Sequence, residues 1–224
     1  MSSKFSLIID FDSTIVKIET IDCLAGIVLS KSKNKNELIN QINKITNSAM
    51  NGEISFKQSI DQRLSLLDFN TNHISRLILE IIKNIDSTFV KNLDFFEKYI
   101  NDIYIISGGF KNIIIPVLKS ISDKHWKVFA NDMVFHNEKI IGIDEKNILS
   151  ENFGKVNVVK SLNLYNDVIV IGDGFTDYEI KKYNLADYFL CYTRHVKRKK
   201  IIKYADLECY DFNDVYNFIN EKYL

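Results

Sequence analysis

The chain has 224 residues, 46% of them hydrophobic, and its 29 Lys plus Arg balance its 29 Asp plus Glu. That apolar content can fill a core without disulfides, and a net charge of zero leaves no global field to draw the chain onto nucleic acid or an anionic membrane. Cys23, Cys191 and Cys209 are far apart and form no C-x-x-C pair, which points to reduced thiols in the cytoplasm and away from a metal–thiolate centre. No apolar run approaches the ~20 residues of a membrane span, and the run after Lys4 is too short for a secretory leader. A soluble, cytoplasmic protein is therefore expected.

Short β-branched runs at 5–10, 102–107, 127–130, 167–172 and 188–192 alternate with longer segments of helical period. This pattern predicts an α/β fold with a doubly wound, mainly parallel sheet, a Rossmann-like core. Between the first two runs lie roughly ninety residues, against the dozen or so of an ordinary crossover, so an extra element must be inserted there. Apolar residues recur at three- and four-residue spacing over 37–47, 56–67 and 74–85. The reading is a small helical cap domain at 16–86, inserted after the first strand and lying over the carboxyl edge of the sheet, with 1–15 and 87–224 forming the core domain. Further along, 134–135 and 139–143 predict a hairpin. The basic stretch 194–203 lacks the interleaved aromatics of a single-strand binder, so it is expected to be a solvated helix, with no nucleic-acid partner.

The first strand runs into Asp10-Phe11-Asp12-Ser13-Thr14. Strand alternation would turn both carboxylates into one pocket and Phe11 away from it. At an effective dielectric of ~20, two like charges ~4 Å apart repel by about 4 kcal/mol, so either one acid is protonated or a cation lies between them. Both outcomes serve phosphoryl transfer, which needs a nucleophile, a proton donor and a counter-charge for phosphate. Alone, this pattern equally describes a polar turn. Ser107-Gly108-Gly109 closes the second strand and supplies a hydroxyl and backbone N–H groups for phosphate; Lys155, at a helix start, adds one ammonium. Gly172-Asp173-Gly174-Phe175-Thr176-Asp177 brings more acids to the end of another strand, an oxygen-rich setting that suits Mg²⁺.

Together and in this order, the four segments resemble the four motifs of haloacid dehalogenase-type phosphatases, a match spanning Asp10 to Asp177. The resemblance implies Asp10 as a nucleophile that is transiently phosphorylated. Asp12 would be the acid for the leaving oxygen and then the base for water. Mg²⁺ would be held by Asp10, the Asp12 carbonyl and Asp173, with Asp177 behind them, and Ser107, Gly108, Gly109, Lys155 and Thr176 would surround the phosphate. Within the family the likeness is strongest to the phosphoserine phosphatase branch. It continues through Glu19-Thr20-Ile21-Asp22, Met50-Asn51-Gly52, Phe56-Lys57-Gln58-Ser59 and Arg63-Leu64-Ser65-Leu66-Leu67. Carried over, Glu19 meets the substrate ammonium and Arg63 its carboxylate, while Met50 and Phe56 close over them. The implied activity is hydrolysis of O-phospho-L-serine, the last step of serine biosynthesis. Another small phosphorylated metabolite is the alternative substrate, and a phospho-accepting receiver module is the alternative class. Two departures stand out: the chain from Lys155 to Asp173 is short for this family, and Thr176 stands where asparagine is common. Tyr192-Thr193-Arg194-His195 takes no role from the resemblance.

Overall fold

The structure, a computed structural model, describes residues 4–224, so the first three residues of the expected core span lie outside it. Strand β1 (Phe5–Ile9) is buried along its whole length. A strand covered on both faces has no polar alternation, which is why this run is apolar apart from the buried Ser6. The chain then passes through a wide turn and four helices, α1 (Thr20–Val28), α2 (Lys35–Met50), α3 (Phe56–Ser65) and α4 (Thr71–Lys83), before α5 (Ser87–Lys91) and α6 (Leu93–Lys98) lead to β2 (Ile103–Phe110). Next come α7 (Lys111–Lys119), β3 (Lys127–Asn131), β4 (Met133–His136), β5 (Lys139–Ile143), α8 (Gly154–Leu162), β6 (Asp167–Gly172) and α9 (Phe175–Lys182). The chain ends with β7 (Tyr188–Tyr192), α10 (Lys199–Ile202), β8 (Leu207–Cys209) and α11 (Phe212–Tyr223).

The main sheet has the order β3-β2-β1-β6-β7-β8, and every adjacent pair is parallel. The fold is therefore the α/β, Rossmann-like arrangement expected from the sequence. Leu7, Ile9, Ile105, Ile169, Ile171 and Leu190 pack into one layer, which extends into α1 and α4 through Leu24, Leu77 and Ile81. Ile8, Ile106, Val168, Val170 and Phe189 face the other layer with Val156, Val159 and Ile180 from α8 and α9. The strand order reverses at β1, so the crevice between the carboxyl ends of β1 and β6 is the switch point at which open α/β sheets bind ligands.

The four-helix segment leaves and rejoins the sheet side by side: Val16 bridges Ile85, Lys17 N–H donates to Asn84 O (2.8 Å), and Asp86 N–H donates to Ile15 O (2.8 Å). Ser55 and Asn70 cap α3 and α4 by accepting from Gln58 N–H and His73 N–H. Strands β4 and β5 form the expected antiparallel hairpin as a separate two-stranded sheet. This hairpin clasps the start of α4: Thr71 N–H donates to Glu138 O (3.0 Å), Ile140 N–H to Phe69 O (3.4 Å), and Lys139 lies 3.6 Å from Asp68.

Several sequence expectations need correction. Strand β1 stops at Ile9, so Asp10 lies just past it. Asp102 belongs to a short turn, and β2 continues through Gly108 and Gly109 to Phe110 with an irregular register after Ile106. The basic stretch is not a solvated helix: only Lys199–Ile202 is helical, and His195 and Arg198 keep 8% and 5% of their side-chain surface exposed. Acids distant in sequence take up these basic groups, and that offsets the cost of burying them. Among the described residues, no helix is long and apolar enough to cross a membrane.

Candidate active site

Asp10 is fixed at the switch point because its N–H donates to Ile171 O in β6 (2.9 Å). Its Oδ1 accepts from Phe11 N–H (2.7 Å) and lies 2.8 Å from Lys155 Nζ. The chain then turns within 11–15, closed by Val16 N–H donating to Phe11 O (3.0 Å), with Asp12 extended and Ser13 left-handed at φ 52°. Asp10 and Asp12 thus share a cavity through this turn, whereas strand alternation was the expected reason. Phe11 is fully buried in the core below. Thr20 Oγ1 donates to Asp12 Oδ1. Burial foremost, then the charges of Glu19 and Asp10, push the Asp12 carboxyl well above the usual range, which favours its neutral, proton-donating form.

Lys155, in the first turn of α8, is buried and bridges two acids, 2.8 Å from Asp10 and 2.7 Å from Asp177. Burial opposes its charge, but the two carboxylates prevail and hold its pKa above the ordinary lysine value. A short crossover from Lys155 to β6 is therefore enough to bring the ammonium to Asp10. Burial and then Asp10 push Asp177 up to about 7. Asp177 comes this close because residue 172 is glycine: a Cβ there would lie 2.2 Å from its carboxyl carbon.

Carboxylate oxygens of Asp10, Asp173 and Asp177 all lie within 4.8 Å of one another. Asp173 Oδ2 accepts from Arg198 Nε (2.9 Å), while Asp173 Oδ1 is buried with no hydrogen-bond partner among the described residues. An orphaned carboxylate oxygen beside two more acids is costly unless a cation completes it, and hard oxygen donors are what a divalent ion prefers. The residues fit such an ion.

Above this floor, Ser107, Gly108 and Gly109 form the last part of β2. Gly109 N–H donates to Ser107 Oγ (3.0 Å), and Asn131 Nδ2 donates to Gly108 O (2.9 Å). The Phe56 ring lies against Gly108, where a Cβ would come within 2.5 Å of it. On the opposite wall Glu19 accepts from Ser13 Oγ (2.8 Å), and Arg63 NH1 donates to Thr46 Oγ1 (3.2 Å), which donates in turn to Asp22 (2.7 Å). Burial and then Asp22 raise the Glu19 pKa; burial lowers that of Arg63 against the pull of Glu19, Asp22 and Asp12.

Asp10, Asp12, Glu19, Met50, Phe56, Arg63, Ser107, Gly108, Gly109, Lys155 and Thr176 all line one cavity, joined by Ile21 and Ala49. Asp173 and Asp177 are buried residues of the Asp10 acid cluster. Sequence reasoning missed Arg198, which also donates to Asn47 Oδ1 (3.1 Å) and, less closely, to Glu19 Oε1 (3.4 Å). Within its run it is one of several basic residues, and only the fold shows which of them meets buried acids.

No family model matches the chain. The chain is 29% identical to the phosphoserine phosphatase of Homo sapiens over 216 residues, covering 95% of this chain and 92% of the relative. It is likewise 29% identical to the chloroplastic phosphoserine phosphatase of Arabidopsis thaliana over 226 residues, with 94% and 70% covered. Among solved structures, a phosphoserine phosphohydrolase-like protein from Francisella tularensis superposes with a TM-score of 0.85 at 25% identity, covering 96% of this chain and 99% of that one. The fold, the buried acids and these similarities agree: the chain is a phosphatase with the haloacid dehalogenase-type fold, similar over most of its length to phosphoserine phosphatases.

Proposed function

We propose that the chain hydrolyses O-phospho-L-serine to L-serine and phosphate through a phosphoaspartyl intermediate, as the last step of serine biosynthesis in the cytoplasm. Residues 16–86 act as a cap domain over a core of 1–15 and 87–224. The observation that carries this reading is that one cavity holds Asp10, Asp12 with its raised pKa, and the oppositely charged side chains of Glu19 and Arg63. Phosphoserine has a phosphate, an ammonium and a carboxylate, so a selective site needs one acid and one arginine outside the phosphate pocket.

In the first half-reaction an Asp10 oxygen bonds to phosphorus, the phosphorus–serine oxygen bond breaks, and the serine oxygen takes the Asp12 proton. Asp12, now a carboxylate, removes a proton from water as the water oxygen bonds to phosphorus and the Asp10 ester opens. Lys155, Ser107 and the N–H groups of Gly108 and Gly109 hold the phosphate oxygens, with Thr176 beside them. Asp10, the Asp12 carbonyl and Asp173 would hold Mg²⁺, which would supply charge neutralisation for the phosphate. Asp177 stands behind these ligands and orients Lys155. Met50 and Phe56 keep water from the bound substrate.

Phosphate release from a panel of small phosphomonoesters tests the assignment, and phosphoserine is expected to give the highest kcat/KM. A panel in which a phosphosugar or phosphohomoserine exceeds it replaces the substrate. The metal reading makes a separate prediction. EDTA should silence turnover and excess Mg²⁺ restore it, whereas Ca²⁺, with its larger and looser coordination sphere, should restore little. Undiminished phosphate release after exhaustive chelation contradicts the metal assignment.

A further inference from the structure

Residues 192–198 connect two buried clusters. At the far end Arg198 joins Asp173, Asn47 and Glu19. At the near end three residues converge on Asp86, a fully buried acid directly after the four-helix segment. Tyr192 OH donates to Asp86 Oδ2 (2.8 Å), Arg194 Nε lies 3.3 Å from the same oxygen, and His195 Nε2 lies 2.7 Å from it. The other oxygen, Oδ1, accepts from Thr88 N–H, Thr88 Oγ1 and Phe89 N–H, which is the ordinary capping duty at the start of α5. Burial would raise the Asp86 pKa, but these partners hold it well below the usual carboxylate range.

The two oxygens therefore have different duties. A helix cap needs only Oδ1, and Oδ2 serves the 192–195 segment alone. The other ties of this loop run to β8 and the start of α11: Thr193 N–H and Oγ1 bond to Cys209 O, Thr193 Oγ1 also donates to Glu208, Lys197 pairs with Glu208, and Arg194 lies 4.0 Å from Asp211. Asp86 is also part of the paired entry to the four-helix segment, through its N–H bond to Ile15 O (2.8 Å), a few residues beyond the Asp10–Asp12 turn.

We propose that Asp86 is a positioning residue for Arg198: through Oδ2 it fixes the loop that sets the guanidinium between Asp173 and Glu19. The kinetic part of this inference rests on the phosphatase reading of the cavity, whereas the geometric part does not. The alternative is that Asp86 only caps α5.

Asp86→Asn separates the two duties, since the amide keeps an acceptor for Thr88 and Phe89 but can turn a donor toward Tyr192, Arg194 and His195. Two measurements are made on the full chain. In ¹H–¹⁵N spectra, the Nε–H resonance of Arg198, identified by its loss in Arg198→Gln, should shift or broaden in Asp86→Asn; this readout holds whatever the substrate is. In kinetics with phosphoserine, Asp86→Asn should lower kcat/KM about tenfold in the parent, and the loss should shrink to within twofold in an Arg198→Gln background. If Asp86→Asn does not fold, Arg194→Gln with His195→Asn takes its place under the same criteria. An unchanged Arg198 resonance, or an equal fold-loss in both backgrounds, overturns the proposal. A parent inert on phosphoserine overturns the substrate assignment instead, and the spectrum still decides the role of Asp86.

Discussion

Asp10→Asn is expected to lower phosphate release by about 10⁴-fold or more while leaving the fold intact. An amide is a poor nucleophile for phosphorus, and no other carboxylate is placed to substitute: Asp12 is held by Thr20 and has a raised pKa, Asp173 is bound by Arg198, and Asp177 is bound by Lys155. The fold should survive because the amide oxygen introduced by Asp10→Asn still accepts from Phe11 N–H, and Lys155 keeps Asp177. The change also removes a negative charge that raises the pKa values of Asp12, Asp173 and Asp177. The thermal midpoint should therefore stay level or rise as activity disappears. Loss of activity together with a collapsed midpoint would mean that Asp10 is a structural residue, and near-parental turnover would remove it from the mechanism.

The second large effect concerns specificity. If Glu19 meets the ammonium and Arg63 the carboxylate, a substrate lacking either group leaves a buried charged side chain short of its substrate partner in a water-poor cavity. Truncating one member of such a pair costs on the order of 2–5 kcal/mol, or roughly thirty- to several-thousand-fold in kcat/KM. Phosphoethanolamine, which lacks the carboxylate, should be poorer than phosphoserine by a factor in this range, and Arg63→Ala should largely erase the difference. Glu19→Gln should likewise weaken discrimination against phosphopropionate-type esters that lack the amine. Arg63 is buried and donates to Thr46 and to Ser59 O, so circular dichroism of Arg63→Ala must accompany the kinetics. Equal kcat/KM for the two substrates on the parent leaves a phosphatase with no amino-acid selectivity.

The parallel sheet was legible because β1, β6 and β7 are covered on both faces and read as mostly apolar runs ending in polar or glycine residues. Spacing and motif order brought the cavity residues together on paper, from Glu19 to Thr176. What escaped detection depends on long-range pairing. Helix α1 contains Thr20, Ile21, Ile27, Val28 and Gly26, residues of weak helix propensity, and its packing against α4 supports it instead. Strand β8 is three residues long, too short for a periodicity to register. The Asp10–Asp12 arrangement depends on a left-handed Ser13, which no alternation rule contains. Arg198 and His195 are indistinguishable in sequence from a solvated basic run until Asp173, Glu19 and Asp86 are placed around them.

The hairpin that grips the start of α4 also bears on the rate at which ligands pass in and out. An outward swing of α1–α4 about the Val16–Ile85 pairing pulls residues 68–71 away from 138–140, so it has to break Thr71–Glu138 and Ile140–Phe69 first. Two backbone hydrogen bonds are worth about 1–3 kcal/mol net, which lowers the fraction of molecules standing open by roughly five- to 150-fold. Shortening the hairpin would then leave phosphorylation of Asp10 as it is and raise the escape rate of product.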